Sequence, residues 1–204
     1  NVDNFKEISN AYVLGSSPGN NYYRNIYTFL HRLFFISEKE INIALHRNSS
    51  NNIRQFIRYI LNVKNIKLNK FIYLDDGIYL FKNSQIPSFL DFNSTMKIYE
   101  KMFPVLNSES PYKSVYISRR NAKCRRIVNE ADFLTHLKKN NFEIIDFENL
   151  SIKNQIILSQ TIKKIIAPNG SGLTNLIFAN PRIKVIEVRK KRIYTKEYLS
   201  LYNK

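Results

Sequence analysis

The sequence predicts an α/β protein with parallel sheets, arranged as two small units. Two observations carry that prediction. Short apolar runs rich in Ile, Val, Leu and Tyr alternate with longer segments of helical period almost throughout the 204 residues. A polar stretch, Asn107-Ser108-Glu109-Ser110-Pro111, then interrupts this rhythm, which resumes after it. Strands separated by helices favour parallel sheets with right-handed crossovers. The expected units are 1–105 and 106–204.

The elements follow in order. Residues 11–15 (AYVLG) read as a strand. Residues 20–36, long and aromatic, have apolar spacing that suits a helix. Residues 41–45 form a strand. In the helix over 52–63, Ile53, Phe56, Ile57, Ile60 and Leu61 share one face, with Arg54 and Arg58 opposite. Strands at 71–74 and 78–81 flank the turn Asp75-Asp76-Gly77. A helix at 94–102 leads to the polar stretch. Beyond it come a strand at 114–118 and a helix at 129–140 that starts at an Asn129 cap with Asp132 three positions on. A strand at 142–147 and a Ser151-capped helix at 151–161 follow. Strand 164–167, helix 173–179, strand 184–188 and a last helix at 194–202 complete the pattern. The length is short for two complete doubly wound domains, so each unit is expected to be reduced and the second to stop short at its C-terminus.

A hydrophobic fraction of 44% supplies a core, and 24% charged residues is ordinary for a globular chain. The net charge of +16 is not ordinary. Residues 1–103 hold 13 Lys and Arg against 8 Asp and Glu, whereas residues 104–204 hold 19 against 8. The basic second half suggests an anionic partner: phosphates, nucleic acid, an acidic polymer or a membrane surface. A solvated basic surface is the plain alternative. Cys124 alone provides neither a disulfide nor a cysteine metal site. No run approaches the ~18 apolar residues of a membrane span.

Two of only five glycines sit close together in Pro168-Asn169-Gly170-Ser171-Gly172-Leu173-Thr174, between an apparent buried strand and a buried helix. Open α/β sheets bind ligands where a strand's carboxyl end meets a helix start. Helix starts favour anions, and glycines permit close backbone approach and positive φ. Ser171 and Thr174 add hydroxyls. The turn is no P-loop and lacks the third glycine of the dinucleotide fingerprint, and a plain connecting turn remains the alternative. After strand 114–118 come Arg119 and Arg120, then Arg125 and Arg126. Their forked guanidiniums suit phosphate oxygens, as they also suit a solvated loop. Glu187, near the end of strand 184–188, suits a ribose diol or serves as an ordinary strand-end carboxylate. Asp76, with Asp75, follows a strand of the first unit. It reads either as a general base or as part of a solvated Asp-Asp-Gly turn.

Residues 114–188 resemble the catalytic domain of glycosyltransferase family 61, which includes capsular polysaccharide enzymes. The shared pattern runs from Tyr116-Ile117-Ser118-Arg119-Arg120 to Arg126-Ile127-Val128-Asn129-Glu130. It continues through Phe142-Glu143-Ile144-Ile145, Leu150-Ser151 and Gln155-Ile156 to Gly170-Ser171-Gly172-Leu173-Thr174-Asn175 and Val185-Ile186-Glu187. A weaker likeness covers Asn21-Tyr22-Tyr23 to Leu30-His31-Arg32-Leu33. The resemblance implies a GT-B-like architecture of two Rossmann-like halves, with the nucleotide sugar on the second half. It also implies an inverting, metal-independent transfer, with no cofactor beyond that donor, to a glycan or lipid-linked glycan acceptor. Asn169 stands where the family usually carries His, Ser171 where it carries Ala, and Arg24 and Thr28 where it carries a His and an acidic residue.

The expected donor site is therefore Arg119, Arg126, Asn169, Gly170, Ser171, Gly172, Leu173, Thr174 and Glu187. Arg119 also stabilises the leaving diphosphate, and Asp76 is the candidate base. The expected setting is cytoplasmic, with peripheral contact to an anionic membrane face. A binding subunit without turnover is one rival. A nucleic-acid binder is the other, disfavoured because no nucleic-acid-binding signature accompanies the charge.

Overall fold

The computed structural model describes residues 5–16, 21–104, 111–122 and 126–189, and contact density divides the chain into two units, Asn1–Ile98 and Tyr99–Lys204. The expected linker residues 107–110 and the expected helix 194–202 fall outside the described residues. The division falls within a helix, Phe92–Met102.

In the first unit, β1 (Phe5–Ser9) pairs in parallel with β5 (Ile78–Lys82). A separate parallel sheet has the order β2 (Tyr12–Val13), β3 (Glu40–His46), β4 (Lys67–Leu74). Ile43, Ala44 and Leu45 make β3 the buried centre of that sheet. Strand β1 escapes the sequence reading because FKEIS is almost wholly exposed and carries no apolar alternation. Asn10, at φ 56, turns the chain between β1 and β2, a conformation asparagine tolerates.

The 20–36 segment is not one helix. A short α1 (Tyr22–Arg24) passes into a wider π-type turn, Asn25–Phe29, and then a tight 3-10 stretch, Leu30–Phe35. The Asn25 side chain and backbone N–H both donate to the Asn21 carbonyl, at 2.9 Å and 3.0 Å. The Arg32 guanidinium, buried beneath this segment, donates to the carbonyls of Leu14 at 2.8 Å and Val13 at 3.3 Å and to that of Pro87, and lies 4.5 Å from the Phe89 ring centre. A buried cation is tolerable only when paired in this way. It ties the segment to the carboxyl end of β2.

Helix α2 (Asn51–Val63) keeps the expected apolar face, with Ile53, Phe56, Ile57, Ile60 and Leu61 all buried. The Ser50 hydroxyl caps it by accepting from Ile53 N–H at 3.3 Å. Its end is closed by Asn65 at φ 55 and by Ile66 N–H donating to Leu61 O at 2.9 Å, a Schellman arrangement. Helix α3 (Phe92–Met102) starts at Asp91, which accepts from Ser94 N–H at 3.0 Å.

The second unit has one four-stranded parallel sheet, ordered β7 (Glu143–Ile145), β6 (Lys113–Ile117), β8 (Ile162–Pro168), β9 (Lys184–Val188). Its alternation is decisive. Tyr116 pairs in register with Ile166, and both pack on Leu137 of α4 (Glu130–Lys139) and on Phe133. Their neighbours Ile117 and Ile165 point to the opposite face. There Gly172, Leu176 and Phe147 close in, beside α5 (Ile152–Thr161). Elements thus cover both faces, which is why β6 and β8 are apolar along most of their length. Ser151 caps α5, its hydroxyl accepting from Asn154 N–H at 3.2 Å. Asn129 does not cap α4 through its side chain. The expected helix after Gly170 is a 3-10 helix, Ser171–Phe178. No helix among the described residues is long and apolar enough to cross a membrane.

His31 is fully buried, and burial, with the neighbouring Arg32 charge second, lowers its pKa from 6.5 to about 4. An unfolded chain therefore takes up this proton before the folded one does. The contribution to stability falls as pH drops from about 6.5 towards 4 and then levels off. Urea unfolding from pH 7 to 4 should show a flatter stability profile for His31→Gln than for the parent, by up to about 1.4 kcal/mol per pH unit. Parallel profiles would contradict this.

Candidate functional site

The strand order of the second unit fixes where its two informative loops go. From β6 the chain moves outward to β7, and from β8 it moves the other way to β9. The loop after β6 leads to α4 on the Tyr116 face. The loop after β8 leads to the 3-10 helix on the Ile117 face. Adjacent parallel strands whose connections diverge in this manner leave a crevice at their carboxyl ends.

Arg119 and Gly170 meet in that crevice. A Cβ built on Gly170 would lie 2.2 Å from Arg119 Nη1 and 3.0 Å from Cζ, so the guanidinium occupies the space a side chain would need. Gly170 has φ 170 and ψ 174, extended backbone open to any residue. Its glycine is required by the arginine, not by a left-handed turn. Gly172 has a different reason. Its missing Cβ would sit 3.2 Å from Ile117 Cγ2, so it lets the 3-10 helix press onto β6. Leu173 N–H donates to Gly170 O at 3.1 Å and begins that helix. The first N–H groups of such a helix have no intrahelical acceptor and carry partial positive charge.

Two buried carboxylates support the loops. Glu130, the first residue of α4, accepts at Oε1 from Tyr116 Oη at 2.7 Å, Ser118 Oγ at 3.1 Å and Arg119 N–H at 3.4 Å. Burial, and then this bond to a carboxylate, push the Tyr116 phenol well above its usual pKa. Glu187 is 5% exposed. Its Oε1 accepts from Asn169 Nδ2 at 2.6 Å and its Oε2 is paired with Arg189. Asn169 N–H also donates to Val188 O at 2.9 Å. Glu187 thus stands beside the turn as expected, but its carboxylate already holds Asn169 and Arg189.

The remaining expected residues are placed as follows. Ser171 is half-buried at the helix start. Leu173 and Thr174 are core residues, 1% and 0% exposed with the Thr174 hydroxyl enclosed, so, contrary to expectation, neither is open to a ligand. Arg126 is exposed on the loop before α4, and Arg125 lies outside the described residues. Arg120 is paired with Asp146 at 2.9 Å. Asp76 belongs to the other unit, at the carboxyl end of β4. It is fully exposed, 3.4 Å from His46 Nε2. Asp75 next to it is held by Arg47, Nη2 to Oδ2 at 3.1 Å. That pairing, before any burial effect, keeps its carboxyl below the usual range. His31 and Arg32 are buried inside the first unit. Sequence reasoning had no role for Glu130, Tyr116 or Arg189. An acidic residue opening a helix was visible at position 130, but not the three donors converging on it. Among the described residues, no group of three or more His, Cys, Asp or Glu is assembled that could hold a metal ion.

The two glycines should separate on substitution. In Gly170→Ala the backbone is compatible and only the guanidinium must move, so thermal unfolding should change little while affinity for inorganic pyrophosphate falls. In Gly172→Ala the methyl meets Ile117, so stability should drop by about 1 kcal/mol or more. Unfolding curves and calorimetric titration of both variants check this, and the reverse pattern would contradict it.

No curated protein matches the chain closely enough to count as a relative. A family model described as Glycosyltransferase 61 matches residues 12–186, a span that includes β2 to β5 of the first unit and, in the second, β6 to β8 with the first three residues of β9. With that much of the sequence inside one family pattern, the chain belongs to the glycosyltransferase 61 family.

Proposed function

We propose that this glycosyltransferase transfers a hexosyl or pentosyl group from a nucleotide sugar to a glycan or lipid-linked glycan. In this reading it works with inversion and without a metal ion, in a GT-B-like arrangement, and serves surface polysaccharide synthesis at the inner face of a membrane. The observation that carries the reading is the Arg119 guanidinium lying against Gly170 at the crevice between β6 and β8. An inverting transfer must neutralise the departing diphosphate and deprotonate the acceptor hydroxyl. In this assignment Arg119 supplies a fixed two-point donor, the N–H groups at Ser171 and Gly172 bind further phosphate oxygens, and Arg126 adds charge at the rim. Asn169, fixed through Glu187, shapes the turn on which the donor rests. A carboxamide nitrogen is a donor without a basic lone pair, so Asn169, donating to Glu187, is not the base. The base is assigned to Asp76, an exposed carboxylate at a strand end of the first unit.

Titration with UDP, GDP and CMP, followed by donor-panel turnover, tests the reading. Arg119→Ala should weaken the preferred nucleotide about tenfold or more, the loss of a charge-assisted contact of ~1.5–3 kcal/mol, and Arg119→Lys should rescue only in part. Unchanged affinity in folded Arg119→Ala would remove the site.

Asp76→Asn should leave nucleotide affinity unaltered and lower kcat about a hundredfold, the usual scale for losing a general base. Retention of full kcat would place the base elsewhere. Nucleotide binding without turnover of any donor would identify a binding subunit.

A further inference from the structure

Glu130 is 7% exposed, and an ionised carboxylate that deep is costly unless hydrogen bonds and favourable dipoles surround it. Both are present. It opens α4, where the helix dipole favours negative charge, and its Oε1 gathers Tyr116 Oη, Ser118 Oγ and Arg119 N–H. Ser118 Oγ in turn accepts from Arg120 N–H at 3.2 Å. One carboxylate oxygen therefore holds the backbone N–H of Arg119 directly and that of Arg120 through the Ser118 hydroxyl. The chemistry proposed above gives Glu130 nothing to do, yet the turn it holds is the one that aims Arg119.

We propose that Glu130 is a positioning residue for donor binding: it fixes the backbone at Ser118–Arg120 so that the Arg119 guanidinium comes to rest over Gly170. The reasoning runs through geometry. The direction of an arginine side chain starts from its Cα–Cβ bond, which the local φ and ψ set. Ser118 is anchored behind by its N–H on Ile145 O at 2.9 Å, and Ala122 N–H closes the turn ahead on Arg119 O at 2.9 Å. Glu130 supplies the third anchor, between them, at the Arg119 N–H. Three fixed points determine a short turn, whereas two leave it a hinge. Gly170, lacking a Cβ, then leaves the space that the aimed guanidinium occupies.

The inference rests on the donor-site reading, and a double-mutant cycle separates the two. UDP and GDP are titrated into the parent, Arg119→Ala, Glu130→Ala and the double variant. Glu130→Ala should weaken the better nucleotide about tenfold in the parent background and less than twofold in the Arg119→Ala background, because the carboxylate acts only through the arginine. Glu130→Gln, whose amide oxygen accepts from the same donors, should hold affinity within about threefold of the parent. An equal loss in both backgrounds would overturn the positioning role and leave Glu130 a general stabiliser. Full affinity in folded Glu130→Ala would overturn it as well. If Arg119→Ala itself has no effect, the donor reading fails first and the inference falls with it. Should Glu130→Ala not fold, Ser118→Ala enters the same cycle. It removes the hydroxyl between Glu130 and Arg120 N–H, and an affinity loss of about threefold that vanishes without Arg119 supports the proposal. Additive loss, or none, overturns it.

Discussion

A guanidinium packed into the place of a missing side chain is the contact on which the second unit's site depends. Arg119 follows β6 and Gly170 follows β8. These strands are hydrogen-bonded neighbours, but the loops leaving them run to opposite faces of the sheet. Diverging loops would ordinarily leave their side chains apart. Arg119 closes that distance because residue 170 has no Cβ, and the result is a fixed cation beside the start of a short helix. Both features are of kinds that favour phosphate, and they are carried by loops after adjacent strands of one sheet.

The supports of this contact are acidic, although the chain as a whole carries a charge of +16. Glu130 gathers the β6 loop and Glu187 gathers the β8 loop, the latter through Asn169. Each is nearly buried and hydrogen-bonded by neutral or basic donors. Two carboxylates placed near a cation would weaken anion binding if they faced the ligand. Both instead turn their hydrogen bonds to the loops, Glu130 Oε1 accepting from three donors and Glu187 holding Asn169 and Arg189. The pairing of Arg120 with Asp146 has a similar consequence, since it directs one of the two adjacent arginines towards the protein. The basic excess of residues 104–204 is therefore not one undifferentiated patch: Arg119 and Arg120 are neighbours in sequence whose side chains lie against different groups, Gly170 and Asp146.

The sequence revealed the strands of the second unit best. Lys184–Val188 has the bounds its pattern indicates although it is a half-exposed edge strand, and β6 and β8 lie within a residue or two of theirs, because their runs 115–117 and 165–167 are buried on both faces and continuously apolar. The Ser151 cap was legible because it is local, a hydroxyl accepting from an N–H three residues on. What sequence could not show was tertiary in origin. The 22–35 segment departs from a regular helix around Asn25 and above a buried Arg32 whose acceptors come from residues 13, 14 and 87. Strand β1 exists through its parallel pairing with β5, far along the chain. The two glycines stand out in the sequence, but the left-handed freedom expected of them is used by neither. Their actual reasons, an arginine and an isoleucine from the neighbouring strand, belong to contacts rather than to spacing. Glu130 was invisible as a site residue because its importance lies in three donors brought together only by the fold.

A crystal structure of the protein soaked with UDP or GDP tests the central claim most directly. The account predicts that the diphosphate lies at the carboxyl ends of β6 and β8. One phosphate should accept from the Arg119 guanidinium and from backbone N–H at Ser171 or Gly172, at about 2.7–3.2 Å. A nucleotide bound with its phosphates on the first unit, or at the amino ends of the β6–β9 strands, would contradict it.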